Sequence, residues 1–516
     1  MYFSGFMNFI TVYSNKLRSH WLSLSYKQKI FATLTIIIVS SQIILFHVFD
    51  QFMPHDVDLQ HNLYSASIAN YSGEYPITSI WPGLDVKTHF RYPPIYQIVV
   101  TLFYYIIGDW GMSAWLLQLM TWIFVPIILM ILIYNIDKNY IFIPVILLGF
   151  NRILIGVFGW QTQTPELMSL ALFWLALIYQ KKENWGYVSI ILAIVGMTQP
   201  RFLFWGFGIF IPLFIKGPII NLIYPILSIT PIILWRIFVI SHPDPSVSQE
   251  SFHLIESLFH NYGIISISLG IIGFYIILKH NEPILWAVIY FFLLFLINPL
   301  LDNYLSFIEP VLQLREGFNM FLPILMIIGA NWILSNFQSK ISFLISFIII
   351  IMLLGYNNIH PRSLRLYGPI LPKDEIKFMR SIKLSDDAMI ANFDRISHVS
   401  FWATPFFNRP SLFWRQRFDR LSGKNLYEFN QLRILSNECI FNPYDSCDKE
   451  LLLKGITHIY IPAGQKGASW EMDALTWKKW LSIAQKNNYE YKLGPDNNND
   501  RRPIIISLKN NGFIKE

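Results

Sequence analysis

Apolar runs recur from about residue 30 to residue 355 and then stop. A helix needs roughly 20 apolar residues to cross the hydrocarbon layer of a bilayer. Within that layer a chain must satisfy its own backbone, which leaves only helices and closed barrels. Candidate spans fall near 31–49, 112–134, 140–158, 165–180, 187–199, 202–216, 219–240, 262–278, 283–300, 318–335 and 341–355. Several are short, as happens where helices break at an internal cavity. The composition agrees, with 53% hydrophobic and only 14% charged residues and a mean hydropathy of +0.41. Residues 356–516 have a different character and read as a soluble domain, long enough to hold its own core.

Charge divides the chain at the same place. Residues 361–516 carry 24 Lys+Arg and 17 Asp+Glu, which accounts for the whole net charge of +7. Such an excess suits anionic headgroups or an anionic substrate, and equally suits ordinary solubility.

The sides of the membrane follow from the positions of the cations. The first apolar stretch begins near Ile30, after Lys16, Arg18, Lys27 and Lys29, and no small-residue cleavage site follows it. It reads as a signal anchor with its N-terminus inside. The segment 95–107 is apolar but short, and suits an interfacial or re-entrant helix better than a span. If it does not cross, the loops holding Lys138, Lys181, Lys182, Lys216, Lys279 and Lys340 all fall on the N-terminal side. The opposite loops then keep only Lys87, Arg91, Arg201 and Arg315. That is the positive-inside arrangement; if 95–107 crosses, every later loop inverts. The expectation is eleven spans, a cytoplasmic N-terminus and an extracytoplasmic tail. Arg152 and Arg236 lie within or at the ends of apolar spans, where ionisable residues are costly. Arg236 is near enough to the outer end to snorkel.

This topology collects polar residues on the outer face. The first outer loop, 50–111, contains a polar stretch at 50–94 with Asp56, Asp58, His61, Glu74, Asp85 and His89, ending in Arg91-Tyr92-Pro93-Pro94. The same face receives Gly159-Trp-Gln-Thr-Gln163-Thr-Pro-Glu166 and Thr198-Gln-Pro-Arg201. A carboxylate there can act as general base on an acceptor hydroxyl. Arginines can hold a phosphate leaving group by charge-assisted bonds.

Asp58, Tyr64, Gly73 fifteen residues after Asp58, Pro76 and then Tyr92-Pro93-Pro94 resemble the first-loop pattern of GT-C-type membrane glycosyltransferases that use polyprenyl-phosphate sugars. That superfamily includes protein mannosyltransferases, aminoarabinose lipid A transferases and oligosaccharyltransferases. The resemblance covers about residues 1–355 and implies an inverting transfer from a lipid-phosphate sugar. Asp58 would be the essential acid, with Asp56 the alternative. His61, at i+3, either orients that carboxylate or lies at headgroup level. Tyr92, Gln163, Glu166, Arg201 and Arg315 are the candidate substrate-binding residues. For Arg201 and Arg315, structural pairing with Glu166, Asp302, Glu309 or Glu316 is the competing role. No cofactor is implied. The 159–166 stretch lacks the Asp-x-Asp that oligosaccharyltransferases use for metal, which argues against that branch and leaves metal dependence open.

In the tail, 389–393, 456–461 and 503–507 read as strands and 373–383, 425–436 and 470–487 as helices. The fold class expected is an α-helical polytopic membrane bundle, GT-C-like, with a C-terminal extracytoplasmic α/β domain. Cys439 and Cys447 are either bridged or free thiols. The sequence carries no Walker A motif, no Rossmann glycine fingerprint and no zinc spacing. Expected partners are a lipid-linked sugar donor, the lipids of the plasma membrane, and a protein, lipid or glycan acceptor; nucleic acid is not among them. The competing functions are a transporter or flippase for a lipid-linked or polar substrate, and a membrane assembly scaffold. A transporter predicts matched broken helices in two halves, and the acidic first loop has no mirror.

Overall fold

The computed structural model describes residues 77–81, 86–89, 94–136, 164–239, 254–280, 282–305, 314–335, 373–391, 403–411, 423–444, 446–462, 474–495, 502–509 and 512–514, and single positions at 19, 21–23, 66, 67, 70 and 344. The candidate spans 31–49, 140–158 and 341–355, as well as Arg152, lie outside these residues apart from position 344.

The helical part opens with α1 (Ile95–Ile107) and α2 (Trp110–Ile136). It continues with α3 (Thr164–Lys181), α4 (Trp185–Gly196) and α5 (Pro200–Gly206). A 3-10 turn at Phe207–Phe210 leads into α6 (Ile211–Lys216), and another at Ile219–Leu222 into α7 (Ile223–Val239). The layer closes with α8 (Leu254–His280), α9 (Ile284–Leu305) and α10 (Leu314–Ser335). Among the described residues, helices thus stand where the apolar runs predict them. The run at 202–216 is a broken helix, divided by the 3-10 turn. The gaps between candidate spans at 241–261 and 301–317 are partly helical, because α8 begins at Leu254, α9 continues to Leu305 and α10 begins at Leu314.

Aromatic residues dominate the bundle core. Trp205 and Phe321 both meet Phe291, at ring distances of 5.3 Å, and the Trp174 indole donates to the Met320 carbonyl at 2.8 Å, tying α3 to α10. Glycines bring α8 and α10 into backbone contact. A Cβ on Gly273 would lie 2.9 Å from the Leu325 Cα, and one on Gly329 would lie 3.0 Å from the Gly273 nitrogen. Such close approach lets helices associate where water supplies no driving force. The outward faces carry exposed Ile190, Ile226, Ile237, Ile264, Ile271 and Leu293. A soluble monomer does not leave so much apolar surface bare. Among the described residues no single helix is long and apolar enough to cross a membrane. The bent pair Ile95–Ile107 and Trp110–Thr121 reaches that length together, through a bend of 119°.

The two ends of the bundle are distinct. At one, Lys181 pairs with Glu282 at 3.0 Å, and the Gln180 amide donates to Ile209 O at 2.9 Å. The loops after α3 and after α8, which the cations place on one side, therefore share one end.

The first outer loop contains a hairpin that the sequence did not predict: β1 (Ile77–Trp81) pairs antiparallel with β2 (Val86–His89). The tail comprises α11 (Lys373–Ser381), β3 (Ile390–Ala391), α12 (Gly423–Phe441), α13 (Cys447–Leu453), β4 (His458–Ile461), α14 (Ala474–Lys486), β5 (Tyr491–Leu493) and β6 (Ile504–Ser507). Its sheet has the order β3-β4-β6-β5, with β3 parallel to β4 and the other pairs antiparallel. Every residue of β4 and β6 is buried, so these strands are covered on both faces, with His458 and Ser507 as their polar members. Cys439 and Cys447 are bridged, with Cα atoms 5.4 Å apart. The tail's core is not confined to the tail. Tyr96 and Val100 of α1 and Trp110, Ala114 and Leu117 of α2 belong to the same cluster as Ile376, Ile390, Tyr460 and Ile505.

Candidate functional site

Pro165 and Glu166 open α3, where a carboxylate favours the positive helix N-terminus. Glu166 is nevertheless buried, with 2% of its surface exposed. A buried carboxylate requires hydrogen-bond donors. One is the Gln199 amide, whose Nε2 lies 3.5 Å from Oε1, at the outer limit of a hydrogen bond. Gln199 is itself buried and extended, and stands at the N-cap position of α5 ahead of Pro200 without a side-chain cap bond. Proline is pre-set for that first helical position. Arg201 follows it, half-buried.

The same turn receives the first loop. The Ile95 N–H, directly after Tyr92-Pro93-Pro94, donates to the Met197 carbonyl at 3.3 Å. The stretches 94–97, 164–167 and 197–201 therefore converge, although they are far apart in the chain.

Gly108 and Asp109 turn the chain between α1 and α2. Gly108 takes the left-handed conformation (φ 77°), and its N–H closes α1 on Tyr104 O at 2.7 Å. Asp109 then starts α2: its Oδ1 accepts the Met112 N–H at 2.6 Å. Tyr104 and Trp110 stack across the bend, with centroids 4.0 Å apart. The tail grips the same point. Arg380 of α11 donates through Nε to Asp109 Oδ2 at 2.7 Å and through Nη2 to Oδ1 at 2.8 Å. Its guanidinium also lies 5.0 Å from the centroid of the Phe406 ring.

Of the residues singled out by sequence, Glu166 and Arg201 are described and lie two helices apart in order but at one end of the bundle. Asp56, Asp58, His61, Tyr92 and Gln163 lie outside the described residues, and Arg315 is in the first turn of α10, its side chain likewise outside them. Sequence reasoning overlooked Gln199 as the partner of Glu166. It also overlooked Gln97, buried on α1 one turn above Thr101, whose hydroxyl donates to Gln97 O at 2.7 Å. A polar pair at i and i+4 in an apolar helix is the signal that marks them. Among the described residues, no group of three His, Cys, Asp or Glu is placed to hold a metal ion.

The fold is a mostly α-helical bundle with a bent helix pair, joined to an α/β tail. ArnT from Cupriavidus metallidurans, in the apo state, has this fold: the TM-score is 0.54 at 10% identity, over 94% of this chain and 99% of that one. Two structures of the Archaeoglobus fulgidus oligosaccharyltransferase overlap more loosely. The apo form gives a TM-score of 0.49 at 8% identity over 85% of this chain and 70% of that one. AglB in complex with an inhibitory peptide and a dolichol-phosphate gives 0.47 at 10% identity, over 84% and 70%. Neither a family model nor a curated protein matches the chain.

Proposed function

We propose that this chain is an integral membrane glycosyltransferase that moves a sugar from a polyprenyl-phosphate donor to an acceptor on the extracytoplasmic face. The observation that carries this reading is the convergence of three stretches chosen for their chemistry: the end of the acidic loop at Ile95, the buried Glu166 and the Gln199–Arg201 turn. The bridged Cys439 and Cys447 suit an oxidising compartment, and hence a tail outside the cytoplasm. Eleven spans, a cytoplasmic N-terminus and a plasma-membrane location complete the reading.

The mechanism is a single displacement. The acceptor nucleophile attacks the anomeric carbon of the sugar, the carbon–oxygen bond to phosphate breaks, and the lipid phosphate leaves with the electron pair. Asp58 takes the acceptor's proton, with Asp56 the alternative base, and the product is inverted. Arg201 and Arg315 stabilise the departing phosphate, Tyr92 and Gln163 line the sugar, and His61 orients the base. Glu166, being buried, acts by ordering the turn that carries Arg201.

The test is direct. Purified protein given undecaprenyl- or dolichyl-phosphate sugar should release lipid phosphate. Asp58→Asn should lower that rate by roughly 100-fold or more, the scale of a lost general base. Full turnover in that variant would sink the mechanism.

A further inference from the structure

The ion pair between Asp109 and Arg380 joins residues 271 positions apart, at a bend whose two helices are each closed without it. α1 already ends on Gly108, and α2 already begins on the Asp109 cap. We propose that Arg380 is a positioning residue for the first loop, clamping α1 and so fixing where the loop's end at Pro94 and Ile95 meets the Glu166–Gln199 turn.

α1 has 13 residues, and at about 1.5 Å per residue it is a rod about 20 Å long. Its N-terminal end carries the close of the acidic loop and has no side-chain cap on Pro94. The backbone bond from Ile95 to Met197, at 3.3 Å, ties that end to the turn. The outward face of α1, with Ile98, Leu102, Tyr105 and Ile106, is exposed, so protein packs the rod from the other side, through Tyr96 and Val100. The far end of the rod is held within the helical part by the Tyr104–Trp110 stack and by the Tyr105 hydroxyl, which donates to Asn70 Oδ1 at 2.6 Å. Arg380 ties that end to the tail as well, through two bonds to one carboxylate, a planar, bidentate geometry that lysine does not reproduce. Phe406 backs the guanidinium. The contact is tight: a Cβ on Gly111 would lie 2.8 Å from Arg380 Nη2 and 2.9 Å from Phe406 Cε1. Glycine at 111 is what admits the clamp.

The catalytic side of this inference rests on the proposed function, because it assumes that the loop held by α1 carries the base. The clamp itself does not, and the experiment separates them. Hydrogen exchange is followed in the full-length protein for α1 and, as a control, for β4 and β6. Arg380→Ala should speed exchange in α1 by about fivefold, the scale of a partly exposed ion pair, and leave β4 and β6 unchanged. Gly111→Ala should do the same by wedging the contact, and Arg380→Lys should restore only part of the protection. Unchanged exchange in α1 overturns the clamp, as does equal acceleration in β4 and β6, which would mean that Arg380 merely stabilises the tail. With the lipid-phosphate sugar, Arg380→Ala should lower the turnover rate by a similar factor at saturating donor. Undiminished turnover with a loosened α1 overturns the positioning role. If the wild type transfers no sugar at all, the proposed function fails while the exchange measurements still decide the clamp.

Discussion

His458 should make the tail sensitive to acid. It begins β4 and is fully buried. Its Nδ1 lies 2.8 Å from the Thr457 hydroxyl and its Nε2 3.1 Å from the Gly512 carbonyl. A neutral ring protonated at Nε2 satisfies both, donating to Gly512 and accepting from Thr457. Burial pushes the pKa down from 6.5 to about 4; nearby Lys509 acts in the same direction, while the Gly512 bond and Asp387 oppose it. In the unfolded chain the imidazole takes up a proton as pH falls through 6.5, and in the folded chain only near 4. The unfolded state binds more protons between those values, so stability is lost on acidification across that window and is intact above it. The full displacement is worth about 3 kcal/mol. Thermal unfolding of the full-length protein, followed by tryptophan fluorescence between about pH 7 and about pH 4.5, should show this loss. H458Q, which keeps an amide able to donate to Gly512 but does not titrate, should lack that component. Parallel loss in the two proteins would refute the assignment to His458.

Two further predictions concern stability. Gly273→Ala forces α8 and α10 apart at backbone contact, and should cost about 1–3 kcal/mol, read as a lower unfolding temperature in detergent; the same substitution at Gly186, where a Cβ meets nothing within 4 Å, should be tolerated. Reducing the bridge between Cys439 and Cys447, which closes a separation of 8 residues, should cost about 2–3 kcal/mol in the tail; exchange in α13 that does not change on adding reductant would contradict it.

Much of the fold is legible because it is local. The helix at 95–107 matches its apolar run residue for residue, and β4 and β6 fall within the runs 456–461 and 503–507. The shorter pieces were harder. β5 has three residues, of which one is exposed, and α13 has seven, so neither leaves a periodic trace. The hairpin at 77–89 leaves little trace because its strands are only five and four residues long. At the site, Glu166 stood out as an acid beside an apolar span, whereas its partner Gln199 is an ordinary amide until the fold brings it across 33 positions.

The apolar helices, the buried strands β4 and β6 and the grouping of cations follow from the sequence alone. They depend on neighbours within a turn or a strand, and on charges that partition by side. The tertiary structure decided how these pieces are joined. Lys181 meets Glu282, Ile95 meets Met197, and Arg380 crosses from the tail to Asp109. It also decided that α1 and the start of α2 share the tail's core. No local pattern encodes such contacts, because each is selected by the packing of whole elements whose faces must be buried together.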